Sequence, residues 1–188
     1  MTRRLIILCI SIIAFSILIY LALIKFCLID KFAFLSPIDY YGDIPIRRDD
    51  YGNGEFGAKR SGRRKHLGID ILAEIGMPVR AVKLGIVINA TTDRGFGKYV
   101  EIRHGLKLVT IYAHLSKINV SKGEHVCQGQ IIGEVGKTGN ARNRLILPHL
   151  HFEARKKGLA QDPLNYLNLS RSKNKFKLLE SIFPNNKE

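Results

Sequence analysis

Two histidines, His149 and His151, lie two residues apart in a short stretch of strand-forming sequence. In a β-strand, side chains i and i+2 point to the same face of the sheet, so both imidazoles are expected to project into one space. Two neighbouring imidazoles are unfavourable to keep buried and charged. The pair therefore predicts a shared metal or polar site.

A second pair, His66 and Asp70, places an imidazole four residues before a carboxylate. These are ligand types that Zn²⁺ takes in catalytic sites, where three protein ligands leave one position open for water. His66, Asp70 and one of His149 and His151 would complete a His₂Asp set, which leaves His114 to act on the water or on a substrate oxygen. Either pair alone is more often structural, so this hypothesis depends on the combination.

Short segments rich in β-branched residues and separated by glycines must position these side chains. They are residues 78–88, 99–103, 106–113, 126–133 and 150–154. The second and third predict a hairpin that turns at His104-Gly105, so His104 is interpreted as a surface or turn residue. Strands at this spacing predict an all-β domain, an antiparallel sandwich or barrel. Residues 172–183 predict a short basic helix.

Residues 5–24 form an unbroken run of 20 uncharged, mostly apolar positions. A helix of that length spans a bilayer, whose hydrocarbon core is about 30 Å thick. A cleaved signal peptide is the alternative, but its apolar region is usually shorter and no small-residue cleavage signature follows this run. We therefore expect an N-terminal transmembrane helix, and Arg3 and Arg4 favour a cytoplasmic N-terminus.

The chain has 188 residues and a net charge of +14, from 30 Lys and Arg against 16 Asp and Glu. Without residues 1–31, which hold four basic residues and one acidic residue, 26 basic and 15 acidic residues leave +11. This excess favours a polyanionic partner: nucleic acid, anionic lipid headgroups or an acidic cell-wall polymer. No helix-turn-helix or ribonucleoprotein signature accompanies the basic clusters, so no nucleic acid is expected.

The ordered motifs between residues 60 and 167 resemble the lysostaphin-type (LytM-like) zinc metallopeptidases, which are cell-wall endopeptidases. The motifs that carry the resemblance are HLGIDI (66–71), GMPV (76–79), AVKLGIV (81–87), GFGKYV (95–100), HG (104–105), YAHLS (112–116), the segment 123–133, GKTG (136–139), PHLHFE (148–153) and the closing segment 162–167. They span well over half of the chain, and their order makes the resemblance specific.

The resemblance implies one zinc ion per chain, held by His66, Asp70 and His151. It implies that His114 and His149 are the catalytic histidines, and that an antiparallel β fold carries a groove over the metal. The residues themselves agree with this assignment, because they supply a His₂Asp ligand set and two further imidazoles. Which of the two catalytic histidines acts as base is not readable from the sequence.

Two further features bear on the site. Glu153 lies two residues beyond His151 on the same strand face, where it is either an outer partner of that histidine or part of a surface salt bridge.

Residues 140–147 form an eight-residue segment where the family usually has about half as many. This insertion is expected to border the groove, where its arginines and apolar residues alter substrate choice, unless it is an inert surface bulge.

The apolar run and the family resemblance together divide the chain into four parts. They are residues 1–31, a cytoplasmic stub and transmembrane anchor; 32–58, a linker that leads into the domain; 59–169, the zinc metallopeptidase domain; and 170–188, a basic tail. Peptidoglycan lies outside the membrane, so the domain is expected on the periplasmic or extracytoplasmic side of the cell (inner) membrane, with a single pass.

The resulting prediction is a membrane-anchored zinc endopeptidase that hydrolyses peptide bonds in peptidoglycan stem peptides or cross-links. Metal-activated water and two histidines would perform the reaction. The alternative is a non-catalytic, zinc-retaining wall-binding module or an activator of other wall hydrolases, although relatives of that kind typically lack zinc ligands and none is missing in this sequence. The expected partners are peptidoglycan, the membrane through the N-terminal helix, and cell-envelope machinery.

Overall fold

The computed structural model describes residues 3–28, 34–40, 42–105 and 107–167. The chain separates into two compact units, Met1–Lys31 and Phe32–Glu188. The first contains the helix α1, Arg3–Leu28. Within the described part of the chain, no helix is both long enough and apolar enough to cross a membrane, so the predicted transmembrane span at 5–24 is not supported. The predicted helix at 172–183 and the basic tail lie outside the described residues.

The second unit is built from eleven short strands. They are β1 (Arg48–Asp49), β2 (Gly52–Asn53), β3 (Ile69–Leu72), β4 (Pro78–Arg80), β5 (Gly85–Asp93), β6 (Gly97–Arg103), β7 (Leu108–Ile118), β8 (His125–Val126), β9 (Ile131–Val135), β10 (His149–Lys156) and β11 (Leu159–Gln161). Two 3₁₀ turns, Gly139–Arg142 and Pro163–Asn165, complete the regular structure. The predicted segments 78–88 and 126–133 each divide into two strands.

Hydrogen bonding joins nine of these strands into one antiparallel sheet, and β1 and β2 pair separately. The order across the sheet is β11-β10-β7-β6-β5-β8; β3 also pairs with β10, and β9 pairs with both β7 and β4. The antiparallel all-β class predicted from the sequence is therefore confirmed, although the nine strands form one branched sheet and not two separate ones. The predicted hairpin is present as β6 and β7.

Strand β10 separates the hydrophobic core from the site. Leu150, Phe152 and Ala154 are fully buried on one face of the strand, in the core cluster. Because side chains alternate along a strand, His149 and His151 lie on the other face. Burying a side chain such as Leu150 or Phe152 stabilises the fold by about 1.5–3 kcal/mol, so core packing fixes the direction in which the histidines point.

The segment between Phe34 and Ile46, which precedes His66 and Asp70, packs on the sheet. Phe34 and Ile38 are buried in the core, and the backbone N–H of Phe34 donates to the carbonyl oxygen of Tyr166 over 3.1 Å. Ile46 forms an isolated antiparallel bridge with Ile71 in β3. This packing brings the β1–β2 hairpin alongside β3.

His104 lies in the turn between β6 and β7, but it is buried, so the prediction of a surface position for this residue is wrong. Its Nδ1 lies 2.7 Å from the carbonyl oxygen of Leu84, and its Nε2 lies 2.8 Å from the hydroxyl of Thr110. These buried partners satisfy both ring nitrogens, so the ring faces inward although the backbone turns.

Candidate functional site

The register between β3 and β10 brings Asp70 opposite His151. Directly opposed residues in an antiparallel pair have neighbouring side chains on the same face of the sheet. Here the Nδ1 atom of His151 lies 2.8 Å from Oδ1 of Asp70. Two residues more than 80 positions apart in sequence are thus brought into contact by strand pairing.

His66, which lies just before β3, completes the cluster. Its Nε2 atom lies 3.0 Å from Oδ1 of Asp70 and 3.0 Å from Nδ1 of His151. Its other nitrogen, Nδ1, is 2.9 Å from the carbonyl oxygen of Glu55. Since a carbonyl can only accept, Nδ1 carries the proton and Nε2 presents a lone pair to the cluster.

Glu153 holds His151 in the matching tautomer. Its Oε1 lies 3.0 Å from Nε2 of His151, and its Oε2 pairs with the guanidinium of Arg155. When this ring is neutral, it donates from Nε2 to the carboxylate and turns the lone pair of Nδ1 towards Asp70. The carboxylate thus contacts the histidine directly, as expected of an outer partner, and its ion pair with Arg155 involves a buried carboxylate and is not a plain surface salt bridge.

Three ligand-type atoms meet within hydrogen-bonding distance: Nε2 of His66, Oδ1 of Asp70 and Nδ1 of His151. Ligand atoms about 2.0–2.2 Å from a tetrahedral Zn²⁺ lie about 3.3–3.6 Å apart, somewhat wider than the spacing of 2.8–3.0 Å in this cluster. Two imidazole lone pairs and a carboxylate oxygen repel one another unless a cation or a proton lies between them. The donor set therefore fits zinc.

The charges inside the cluster shift its pKa values strongly. Burial lowers the pKa of His151, but hydrogen bonds and attraction from Asp70 and Glu153 outweigh it and raise the pKa to about 9. Burial raises the pKa of Asp70, but hydrogen bonds with His151 and His66 outweigh it and hold the pKa far below its usual range. Both shifts show that the cluster favours a positive charge at its centre.

His114 lies in β7 beside this cluster, at a β-bulge where the register with β6 shifts. Its φ of 64° is in the left-handed region, which costs a non-glycine residue about 1–3 kcal/mol and is common at functional sites. The backbone N–H donates to the carbonyl of Phe96, and Nδ1 of the ring donates to the carbonyl of Thr138, both over 2.9 Å. Burial lowers the pKa of His114 to about 3, so the ring is neutral.

His149 has the same arrangement on the neighbouring strand. Its Nδ1 donates to the carbonyl oxygen of Leu147 over 2.7 Å, and its Nε2 lies 3.9 Å from Oδ1 of Asp70. Burial lowers its pKa, and its ring centroid is 5.1 Å from that of His114. Two neutral imidazoles therefore present Nε2 lone pairs next to the metal-type cluster, where each can accept a proton.

Two arginines contact the outer oxygen of Asp70, and neither is among the site residues predicted from the sequence. Nη2 of Arg47 lies 3.1 Å and Nη2 of Arg60 lies 3.2 Å from Oδ2 of Asp70. Arg47 is only 4% exposed, but it lies 23 residues before Asp70, in a segment interpreted as a linker. A buried arginine contact over that separation leaves no local pattern in the sequence.

A groove of about 880 Å³ runs over these side chains. Its lining includes Lys59, Arg64 and Lys65 of the basic segment 59–65, which form its cationic wall, and also Asn140, Ala141 and Ile146. The insertion at 140–147 thus borders the groove as predicted, through these three residues.

Comparison with known proteins identifies the family. The sequence pattern described as "Peptidase family M23" matches residues 64–163, which is more than half of the chain. The chain belongs to peptidase family M23. The resemblance to lysostaphin-type peptidases that the motifs predicted is therefore confirmed, and the match includes all the site residues proposed from the sequence.

Individual M23 relatives are similar to this chain at moderate identity. A "Lipoprotein NlpD/LppB homolog" of Pseudomonas aeruginosa is 42% identical over 101 residues, covering 53% of this chain and 32% of the relative. The "Peptidoglycan DD-endopeptidase ShyC" of Vibrio cholerae is 39% identical over 100 residues, covering 53% of this chain and 22% of the relative.

A solved structure of a peptidase is also similar to this chain. The structure of "a zinc containing peptidase" from Vibrio cholerae superposes with a TM-score of 0.54 and 36% identity, covering 70% of this chain and 39% of that one. The chain spans about a fifth to a third of the two curated relatives. M23 peptidases are zinc-dependent, and His66, Asp70 and His151 form a fitting zinc site in this chain.

Proposed function

We propose that this M23 protein is a zinc endopeptidase that hydrolyses peptide bonds in the stem peptides or cross-links of peptidoglycan. The observation that carries the proposal is the convergence of three ligand-type atoms within 3.0 Å of one another, beside two neutral histidines. The relative named a peptidoglycan DD-endopeptidase supports the choice of substrate class. The cationic wall of the groove supports it further, because stem peptides carry carboxylates.

The proposed mechanism assigns separate tasks to the residues of the site. When bound, zinc supplies Lewis acidity, which makes water easier to deprotonate and a peptide carbonyl easier to attack. His66, Asp70 and His151 hold the ion. His114 and His149 each have Nδ1 occupied by a carbonyl acceptor, so each takes and returns protons at Nε2: one accepts the proton of the attacking water, and a protonated ring gives a proton to the leaving amine.

A direct assay of the full-length protein tests this function. We expect about one zinc ion per chain and release of soluble peptides from purified sacculi, with both lost in His66→Ala. Mass spectrometry of the released fragments would also identify the bond that is cleaved. Stoichiometric zinc with no fragment from any sacculus would contradict the hydrolase assignment and favour the non-catalytic, wall-binding alternative.

The proposed site of action is outside the cytoplasm, where peptidoglycan lies. The relatives named as a lipoprotein homologue and a peptidoglycan endopeptidase support an envelope location. Membrane attachment through residues 1–31 stays a prediction from the apolar run at 5–24 and the preceding arginines. A C-terminal fusion to a reporter that is active only outside the cytoplasm tests location, and fractionation of the same cells tests attachment; activity of a cytoplasmic reporter would contradict the proposal.

A further inference from the structure

The two oxygens of Asp70 face different partners. Oδ1 points to His66 and His151, and Oδ2 accepts from Nε of Arg47 over 3.4 Å and from Nη2 over 3.1 Å. The backbone N–H of Arg47 also donates to the carbonyl oxygen of Asp70 over 2.8 Å. Arg47 therefore fixes both the main chain and the side chain of this residue.

Arg47 is itself held in place by Asp49. Nη1 of Arg47 lies 2.6 Å from Oδ1 of Asp49, and the other carboxylate oxygen of Asp49 accepts from the backbone N–H of Leu147 over 3.1 Å. Both side chains of the ion pair are largely buried, with exposures of 5% and 10%. One continuous chain of contacts thus links the 140–147 insertion to Asp70.

A carboxylate with two free oxygens can bind a metal through either oxygen or through both, and it can rotate between these arrangements. The planar fork of a guanidinium, once seated on one oxygen, removes that freedom. We propose that Arg47 is a positioning residue that keeps Asp70 presenting only Oδ1 to the metal, with Asp49 holding Arg47 in the required orientation. The inference rests on the proposed metal site but not on peptide hydrolysis.

Arg60 is placed to assist Arg47 but not to replace it. Its Nη2 contacts Oδ2 of Asp70 from the solvent side, where the side chain is 25% exposed, and its Nη1 also donates to the carbonyl oxygen of Asn53. Arg47 has the shorter contact, approaches with two nitrogens and is almost completely buried. Its loss is therefore expected to have the larger effect.

Zinc affinity of the full-length protein, measured by competition with a chromophoric chelator, tests the proposal. Arg47→Ala should weaken zinc binding by about 10- to 100-fold, as loss of a partner behind a metal ligand typically does. Arg48→Ala is the matched control, because Arg48 is the next residue and pairs with Glu55 at the surface. Its zinc affinity should stay within about twofold of the wild type. Wild-type affinity in folded Arg47→Ala would overturn the proposal.

Two further variants keep the test decisive if Arg47→Ala does not fold. Arg47→Lys keeps the charge but not the fork, and Asp49→Asn keeps the shape but weakens the hold on Arg47; both should lose affinity, by several-fold. Absorption spectra of the Co²⁺-loaded proteins report coordination, and a bidentate Asp70 in either variant should change them. Unchanged affinity and unchanged spectra in both variants would contradict the role. Because neither measurement uses peptidoglycan, a protein that cleaves no wall peptide can still support it.

Discussion

His114 is held through its backbone as well as its ring. A φ of 64° is uncommon for residues other than glycine, but asparagine, like histidine, adopts it more readily than most. His114→Asn can therefore keep the bulge while removing the basic nitrogen. We expect the rate of peptide release to fall by about 10²- to 10⁴-fold, the usual contribution of a general acid or base, with zinc content unchanged. Metal analysis and a sacculus assay on one preparation check this, and loss of zinc would show that His114 serves the metal site instead.

Tyr112 makes the stability of the fold decrease with rising pH in the alkaline range. Burial raises its pKa, so above about pH 10 the unfolded chain ionises while the folded chain does not. The contribution of the neutral Tyr112 hydroxyl to the free energy of unfolding is therefore complete below pH 10. Above pH 10 it falls by about 1.4 kcal/mol per pH unit. Tyr112→Phe leaves the N–H of Val82 without its acceptor, which costs about 1–3 kcal/mol.

Urea unfolding between pH 7 and pH 11 separates these two effects. Tyr112→Phe should be less stable than the wild type at pH 7, and the difference should shrink above pH 10. The exposed Tyr51 is the matched control, since Tyr51→Phe should change stability little at any pH. A difference between Tyr112→Phe and the wild type that stays constant with pH would contradict the assignment.

The site residues differ in how far the sequence reveals them. His149 and His151 are identified by a local rule, the alternation of side chains along a strand. His66 and Asp70 are recognised by ligand type and by the family resemblance. Arg47 has no such signal, because its contact with Asp70 exists only after a segment 23 residues away packs on β3.

The approach of β3 to β10 depends on Gly68, between His66 and Asp70. A Cβ at residue 68 would collide with the carbonyl oxygen of Phe152 and lie 2.8 Å from Cγ of Glu153. Gly68→Ala must therefore push the strands apart, at a cost of about 1–3 kcal/mol, and should weaken zinc binding. Gly105→Ala is the matched control, because a Cβ there meets no atom within 4 Å. Urea unfolding and zinc competition check both; equal effects would contradict the close-approach argument.

Strand prediction succeeds where the signal is local and fails where it is not. The β6–β7 hairpin follows from alternation on either side of a His-Gly turn, and it is present. Strand β3 is not among the predicted strands, because its four residues, Ile69–Leu72, give too short an alternation of apolar and polar side chains to indicate a strand. Its pairing with β10, about 80 residues later, is a long-range contact that no local window contains.

Part of the positive charge of the molecule lies at the groove where substrate would bind. Lys59, Arg64 and Lys65 line the groove, and no ion pair engages them among the residues that the structure describes. Exposed charges act over about 10 Å at 0.1 M salt and about 3 Å at 1 M. An anionic polymer approaching the groove should therefore be attracted at low salt and hardly at all at high salt.

Replacing these three residues with glutamine tests this attraction. Exposed ion pairs contribute about 0.2–1 kcal/mol each, so the triple variant should lose roughly 3- to 100-fold in kcat/KM on sacculi at low salt. The matched control replaces Lys122, Lys156 and Lys157, which are exposed and do not line the groove. It removes the same charge and should change kcat/KM much less. The two variants should converge near 1 M salt, whereas equal losses at low salt would show that net charge, and not the groove wall, attracts the polymer.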